Sequence, residues 1–354
     1  MKKTNFVYAA AIMMACAFGM TSCQQQGDNP VPPTPQPKDP IVEAIEKGAT
    51  LNDLVANAEY VKDNTLALPA DAKVELAAEL NLDAPLTITA DAEKPATIVA
   101  KAGVVTSKNI AFENVTIDAS TLESNFIALP AEEPAEVNNI EAITLNNVKI
   151  KGLNKALFYS AAKKNLIADF NIKNSIVEVT GDVTTIDFTK GSAAKNVNVE
   201  NSTLYAKTAT TKSMYSSQGG QKLTELVADG TQTFKFANST IYNFAKTKNF
   251  FSHRQSNQKW LAYDVQGCIF VDCGKSGQVI KGMNGGQGGA NPIWTIKGNV
   301  FNFDGADTSA NEETGDADEP VQESIAAVVA FADAANGDFT QSNAAAGDPR
   351  WIKK

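Results

Sequence analysis

The chain has 354 residues and carries 31 Lys and Arg against 40 Asp and Glu, which gives a net charge of −9. The overall field of such an acidic protein does not attract nucleic acid or polyanionic glycans, which argues against both classes of partner. The apolar run near the N-terminus is too short to predict a membrane-spanning helix, and the sequence has no other apolar stretch of about 18 residues.

Residues 1–22 have the pattern of an export signal. Lys2 and Lys3 provide the positive start, an apolar stretch follows, and small residues precede Cys23. This ending resembles the lipobox of bacterial lipoproteins, and the resemblance implies that Cys23 becomes the lipid-modified first residue and holds the protein at a membrane. An ordinary secretory signal with an incidental cysteine is the alternative. Loss of the two lysines would change the net charge from −9 to −11.

Residues 23–40 are predicted to form a Pro-rich linker, because six of the 14 prolines lie between Pro30 and Pro40. Such a segment stays extended, at about 3.1 Å per residue, and would hold the domain away from the membrane. Residues 41–65 predict a short helical cap, with Thr50 and Asp53 spaced as a capping box. We expect this cap to cover the open first coil of the repeat that follows.

Seven segments then share one template, in which apolar residues alternate with others, pause at Asn or Gly, and alternate again with shifted parity. The interval between pauses ranges from 27 to 37 residues, which is the length of one solenoid coil. Asn and Gly adopt the left-handed backbone region most readily, so each pause predicts a one-residue bend between two strands. Stacked coils would align these residues in a ladder: Asn114, Asn147, Asn174, Asn201, Asn238, Gly267 and Gly298.

The predicted fold is all-β, a single-stranded right-handed parallel β-helix over residues 66–354, with roughly nine or ten coils of about 30 residues. Ankyrin and tetratricopeptide repeats need a helical period that these segments lack, and the leucine spacing of leucine-rich repeats is absent. Acidic residues crowd 304–323, which predicts a solvated loop.

The order of these parts resembles the uncharacterised surface lipoproteins of Bacteroidetes that are built on a pectate-lyase-like right-handed β-helix. The matching parts are the Cys23 signal, the Pro-rich spacer, the Asn turns, and the ending from 337–339 (Gly-Asp-Phe) to 347–351 (Gly-Asp-Pro-Arg-Trp). The resemblance implies an outer-membrane lipoprotein on the cell surface that serves polysaccharide capture. That family usually has acidic residues directly after the cysteine, whereas glutamines occupy 24–26 here, so the periplasmic face is the alternative location.

Equivalent outward positions on successive coils lie about 4.8 Å apart, so the alignment tests two of the sheets for clustered charges. Polysaccharide lyases on this fold resemble one another in needing clustered carboxylates for Ca²⁺ and an Arg or Lys base. In the aligned columns no carboxylate follows another, and opposite charges alternate instead. The sequence therefore predicts no catalytic residue, no metal site and no cofactor on these sheets. A polysaccharide lyase or hydrolase whose site lies on the third sheet is the alternative.

Tyr205 and Tyr242 occupy the same outward position on adjacent coils, with Thr203 and Thr240 beside them and Trp260 nearby in the sequence. Two stacked aromatic faces predict a platform for sugar rings, and the threonines could supply hydrogen bonds. The alternative is that the tyrosines pack beneath the insert 207–233.

Three functional hypotheses follow. The first is a lipid-anchored, non-catalytic protein that binds a neutral polysaccharide or acts as a scaffold, since the aligned columns contain no basic strip. The second is the lyase or hydrolase, and the third is a structural or adhesive envelope protein. The sequence does not indicate an oligomeric state.

Overall fold

The computed structural model describes residues 38–353, apart from residue 161 and the segments 189–190, 218–222, 228–230, 254–259, 281–292 and 312–322. The leader 1–22, Cys23 and nearly all of the linker lie outside the described residues, as does most of the acidic loop 304–323. The predictions made for the leader, the cysteine and the linker therefore stay predictions.

The described chain begins with two short helices, Pro40–Glu46 and Leu51–Ala56. The second helix starts at the predicted capping box. The backbone N–H of Thr50 donates to Oδ2 of Asp53 at 2.8 Å, and the backbone N–H of Asp53 donates to the Thr50 hydroxyl at 3.3 Å. Leu54 of this helix is fully buried in the same core as the first coils, which confirms a small helical N-terminus.

Three sheets, counted over the described residues, run along the solenoid, and almost all neighbouring strands are parallel. The first sheet holds the strands that precede each Asn or Gly turn, and its first two strands form an antiparallel pair. In spatial order these strands are Val61–Lys62, Thr65–Ala67, Leu86–Thr89, Ile110–Glu113, Asn138–Asn146, Asn165–Lys173, Ala193–Glu200, Thr231–Ala237, Trp260–Gln266 and Ile293–Lys297.

The second sheet holds the strands that follow each turn, and it ends in an antiparallel pair. Its strands are Lys73–Leu76, Ala96–Ala100, Val115–Asp118, Lys149–Leu153, Ile176–Val179, Thr203–Ala206, Thr240–Tyr242, Ile269–Val271, Val300–Phe303 and Ala306–Asp307. The third sheet, which the repeat alignment did not reach, is parallel throughout its described part. Its strands are Leu80–Leu82, Val104–Thr106, Ile127–Leu129, Phe158–Ser160, Ile186–Phe188, Tyr215–Ser217 and Phe251–His253.

Further short elements lie in the longer connections. A short helix, Leu223–Leu226, lies within the insert 207–233. Single 3₁₀ turns occur later in the chain, at Lys275–Gly277, Ser309–Asn311, Ala334–Asn336 and Pro349–Trp351.

Each predicted turn residue has the predicted left-handed backbone. The five asparagines have φ between 46° and 56°, and the two glycines have φ of 63° and 64°. The amides form a ladder along the axis: Asn147 donates to Asn114 at 2.9 Å, Asn174 to the neighbouring Asn146 at 3.1 Å, Asn201 to Asn174 at 3.5 Å, and Asn238 to Asn201 at 3.5 Å. The parallel β-helix and its asparagine ladder are therefore confirmed.

A second ladder of buried hydroxyls lies directly inside the first. The hydroxyls of Ser175, Ser202 and Ser239 accept the backbone N–H of Val148, Ser175 and Ser202, at 3.0, 3.0 and 3.2 Å. Each serine is fully buried. These bonds satisfy amides that the bend removes from the regular pairing between strands, and unpaired buried amides are costly. The serines that follow the turns therefore lock adjacent coils together.

The core fills the space between the three sheets, where inward side chains of successive coils stack on one another. Aromatic rings dominate its second half, and burial of such large apolar surfaces is the main stabilising term of the fold. The stacked or edge-on neighbours are Phe158, Phe170, Phe188, Tyr215, Phe234, Phe251, Tyr263 and Trp294.

Candidate functional site

Tyr205 and Tyr242 are paired in register on the second sheet, as the alignment predicts. The prediction that their faces are open to a ligand is wrong. Tyr205 is 4% exposed, its ring lies 5.1 Å from that of Phe339, and its hydroxyl donates to Oε2 of Glu178 at 2.5 Å. Burial and the adjacent carboxylate raise the pKa of the Tyr205 hydroxyl well above its ordinary value. The ring of Tyr242 also contacts Phe339, at 5.7 Å between centroids.

The two threonines hold the end of the chain. The hydroxyl of Thr203 donates to Oδ2 of Asp348 at 2.7 Å and accepts the indole N–H of Trp351 at 2.7 Å. The hydroxyl of Thr240 accepts the backbone N–H of Asp348 at 3.0 Å. The buried Asp348 carboxylate is in turn paired with the Arg350 guanidinium. Both hydroxyls therefore have structural partners in place of the predicted sugar.

Residues 325–351, here called the C-terminal strap, cover this part of the second sheet. Sequence reasoning missed the strap because its contacts join residues nearly 150 positions apart, where no local pattern indicates pairing. The Arg350 guanidinium makes a contact of still larger sequence separation, because it donates to the backbone carbonyl of Ser175 at 2.8 Å. Trp260 begins a strand of the first sheet, and its side chain lies outside the described residues.

The described residues of the insert 207–233 lie largely on other sheets. Its first part supplies the strand Tyr215–Ser217 of the third sheet. Leu226, the last residue of its short helix, and Val227, which follows it, form a small apolar cluster with Ala193 on the first sheet. These described apolar residues of the insert therefore pack on a different sheet from the tyrosines, and the alternative of packing beneath the insert stays a prediction for the rest of it.

An open surface feature lies instead on the third sheet. Its outward residues are aligned across successive strands, so that Tyr159 pairs with Asp187, Asp187 with Ser216, and Ser216 with Ser252. Neighbouring residues in such a column are about 4.8 Å apart. These four residues form the floor of a cavity of about 430 Å³, here called the third-sheet groove.

Three exposed lysines flank the groove: Lys155, Lys212 and Lys248. Each stands four residues before the outward residue of its strand, so the coils carry them to the same side of the groove. No ion pair involving them is formed within the described part of the chain. A Lys four residues before an outward Tyr or Ser was the sequence signal for this groove. It was missed because the third sheet lacks the Asn turn by which the coils were aligned.

Asp187 lies at the centre of the groove and is half-buried. Its Oδ1 is shielded from solvent and has no hydrogen-bond partner among the described residues. Burial therefore penalises the charged form and raises the pKa of this carboxyl to about 6. A proton donor from a ligand would satisfy this oxygen.

Asp182, on the groove wall, differs from Asp187 because it is already engaged. Its carboxylate accepts the hydroxyl and the backbone N–H of Thr211, both at 2.6 Å. These hydrogen bonds, aided by the nearby Lys212, lower the pKa of Asp182. Asp182 therefore ties two coils together, and Asp187 is the carboxyl that faces the groove.

The arrangement combines an aromatic ring, a carboxyl group and hydroxyls in a line, with cations along one edge. Tyr159 can stack on a sugar ring, while Asp187 and Ser252 can exchange hydrogen bonds with its hydroxyls. Ser216, which is 5% exposed, lies deeper in the groove. Among the described residues there is no group of three or more His, Cys, Asp and Glu that could hold a metal ion. Cys268 and Cys273 are buried, which raises the pKa of both thiols to about 12.

Residues 72–207 are similar to a family described as a domain of unknown function, DUF4957. The matched segment contains Lys155, Tyr159 and Asp187, whereas Ser216 and Ser252 come after it. No curated protein matches the chain. Within the described residues, none of the helices has the length and apolar character needed to cross a membrane.

Proposed function

We propose that this protein is a non-catalytic glycan-binding protein of the cell envelope, and that the glycan lies along the third-sheet groove. The observation that carries this proposal is the column formed by Tyr159, Asp187, Ser216 and Ser252, held in register by the coils. A rigid row of polar and aromatic groups at a fixed spacing suits an extended polymer, which presents similar groups at regular intervals.

The energetics also favour binding along this column. The side chains are placed by strands whose backbones are already paired, so little ordering is needed when the ligand binds. Stacking of a sugar on Tyr159 would contribute through its apolar face. A sugar hydroxyl that donates to Oδ1 of Asp187 would satisfy a shielded acceptor, and hydrogen bonds to charged groups are stronger than neutral ones.

The test is affinity electrophoresis against a broad panel of immobilised glycans. The wild-type protein is expected to be retarded by at least one glycan, and Tyr159→Ala is expected to lose most of that retardation because the stacking surface is removed. Tyr60→Ala, at the N-terminal cap, is the matched control and should bind as the wild type does. Retention of binding in Tyr159→Ala would contradict the assignment of the groove, and failure of the whole panel would contradict glycan binding.

A second candidate is a polysaccharide lyase or hydrolase that uses the same groove. It is favoured by the raised pKa of Asp187, since a carboxyl that titrates near pH 6 can accept or donate a proton at neutral pH. An absorbance rise near 235 nm on uronic-acid polymers would reveal a lyase, and new reducing ends would reveal a hydrolase. We expect neither, and loss of either activity in Asp187→Asn would establish the enzyme instead.

We further propose that Cys23 carries a lipid that anchors the protein to the outer membrane, with the domain displayed at the cell surface. The charged start, the apolar stretch and the small residues before Cys23 support this proposal. In cells labelled with radioactive palmitate, the wild-type protein should become labelled and Cys23→Ala should not. Protease added to intact cells should remove the surface-displayed protein. Unlabelled wild type would overturn the anchor, and protection from protease would favour the periplasmic face.

A further inference from the structure

The edge of the third-sheet groove has a charge pattern that bears on the kind of glycan it takes. Lys212 and Lys248 precede adjacent strands, so their coils are about 4.8 Å apart, and Lys155 lies two coils before Lys212, at about twice that distance. Cations at such intervals match a polymer that carries one negative group on successive or alternate sugars. A neutral polymer carries no charged group that could form ion pairs with these lysines.

The sequence favoured a neutral glycan because the first two sheets contain no basic strip. The third sheet supplies one. Three ammonium groups face two carboxyl groups in the groove, so the lining carries a net charge of +1 when both are ionised and +2 when Asp187 is protonated. This local excess stands against a chain whose net charge is −9, so the groove is positive on an acidic protein.

Asp187 is placed where it would oppose such a ligand. It lies on the groove floor between the coils of Lys155 and Lys212, and its carboxylate has no cation paired with it among the described residues. A negative group held by the lysines would therefore lie close to a second negative charge in a partly shielded site, where screening by water is weakened. Protonation of Asp187 removes this repulsion and adds a hydrogen-bond donor.

We propose that the groove selects glycans bearing carboxylate or sulfate groups, and that Asp187 weakens their binding when it is ionised. This inference rests on the proposed function and names the ligand class and the regulation of the same site. Lys155, Lys212 and Lys248 hold the anionic groups along the edge, while Tyr159 and Ser252 contact the sugar.

Among the carboxyl groups and buried tyrosine around the groove, Asp187 is the group whose protonation state changes near neutral pH. Asp182 has a lowered pKa and stays ionised near neutral pH, and buried Tyr215 has a raised pKa and stays neutral. The other charged or titratable groups around it are Lys155, Tyr159, Lys212 and Lys248. Burial brings the pKa of Asp187 to about 6, so its charge changes within the range in which most proteins are folded. Affinity for an anionic glycan is then expected to rise as the pH falls through that value.

The test uses three polymers with one backbone: dextran, carboxymethyl dextran and dextran sulfate. Dissociation constants are measured by calorimetry at pH 5 and pH 7.5 at one ionic strength, which keeps screening constant. We expect both charged polymers to bind more tightly than dextran, and to bind roughly fivefold or more tightly at pH 5, as a typical coupling between sites would produce. Sulfate and carboxymethyl arms distinguish the two kinds of anionic group.

Three variants complete the test. Asp187→Asn should bind the charged polymers at pH 7.5 as tightly as the wild type does at pH 5, and should lose the pH dependence. Lys212→Gln should weaken charged polymers at both pH values, while Lys94→Gln, an exposed lysine in another loop, should not. Near-ultraviolet circular dichroism checks that each variant is folded.

The outcomes separate the inference from the proposed function. Equal binding of dextran and its charged forms, absence of binding by both charged forms, or an unchanged pH dependence in Asp187→Asn overturns the inference. If a neutral glycan of the earlier panel still binds through Tyr159, the proposed function stands without it. If no glycan of any kind binds, both fail together.

Discussion

At the scale of single residues, two carboxyl groups that line the third-sheet groove have opposite surroundings. Asp182 accepts two hydrogen bonds from Thr211, which favours its ionised form. Asp187 has a shielded oxygen without a described partner, which favours its neutral form. The pKa values of these two carboxyl groups, which are five residues apart, are thus shifted in opposite directions by their surroundings. Such opposite shifts are expected when one group serves structure and the other faces a site.

This contrast predicts opposite effects on stability. The folded-state pKa of Asp187 is raised from 3.8 to about 6, so the folded protein binds more protons between these values and loses stability as the pH rises through them. Asp187→Asn should therefore be more stable than the wild type above pH 6, by about 1 kcal/mol after allowance for solvent screening of a half-buried group. This difference in unfolding free energy should vanish below pH 4, where the carboxyl group is protonated in both the folded and the unfolded protein.

Urea unfolding at pH 3.5 and pH 7.5 measures both ends of this range, if the wild type is folded at each. Asp182→Asn is the matched control, and it should be less stable than the wild type at pH 7.5, because its carboxylate is favoured in the folded state. A stability loss at pH 7.5 in Asp187→Asn would contradict the assignment of a strained, unpartnered carboxyl.

The turn asparagines are the other residue-scale feature. Asn201 has φ of 48°, a conformation that costs most residues about 1–2 kcal/mol, and its amide links two neighbouring coils. Asn201→Ala should lose roughly 1–2 kcal/mol of unfolding free energy. Asn201→Gly accepts the backbone conformation and should lose less, so the difference between the two variants isolates backbone strain from the ladder. Equal losses, measured by urea unfolding, would show that the bend contributes no strain at this position.

At the scale of elements, the C-terminal strap covers the part of the second sheet where the sequence predicted a sugar platform. Its apolar residues pack on the second sheet, and its last residues are held by hydrogen bonds and an ion pair. The Arg350 guanidinium donates to the carbonyls of Asn174 at 3.2 Å and Ser175 at 2.8 Å, and it neutralises the buried Asp348 carboxylate. The strap therefore covers the later coils of the second sheet, whereas the third-sheet groove stays open.

Removal of the guanidinium should release the strap locally. Arg350→Ala leaves the buried carboxylate of Asp348 without its cation, and an unsatisfied buried charged group costs roughly 1–3 kcal/mol when its lost partner was itself partly exposed, as the guanidinium is here at 37%. Because the strap folds onto finished coils, we expect faster amide exchange in 338–353 and in the strand Thr203–Ala206, with little change in the first coils. Lys353→Ala, three residues away, serves as the control. Unchanged exchange in Arg350→Ala would show that packing of Phe339 alone holds the strap.

The elements also show what the sequence could predict. The Asn and Gly turns repeat at coil spacing and need a rare backbone conformation, so they identified two sheets, their inward faces and the ladder. The strands of the third sheet are mostly three residues long, too short to show a period, and they lack a turn residue of their own. The candidate site was therefore sought on the sheets that could be aligned. The strap was missed for a different reason, because its contacts depend on the folded coils.

At the scale of the whole molecule, the described coils form a stack in which each one pairs with its neighbours. In such a repeat, stability is close to a sum of coil and interface terms. Because each coil pairs with the next in register, side chains on one face are held at fixed intervals over several coils. This regularity turns isolated residues of Tyr, Asp and Ser type into a row that can follow a polymer. The proposed binding of a glycan therefore depends on the stacking as much as on the residues.

Binding of a glycan along the third sheet would shield the backbone amides there. Hydrogen exchange with mass spectrometry measures this shielding, in the presence of a glycan that the protein retains. We predict protection in the connections that precede its strands, 154–157, 181–185, 211–214 and 247–250, and no protection in the strap or the strands beneath it. Protection at the strap, or on the first sheet with the third sheet unchanged, would contradict the account.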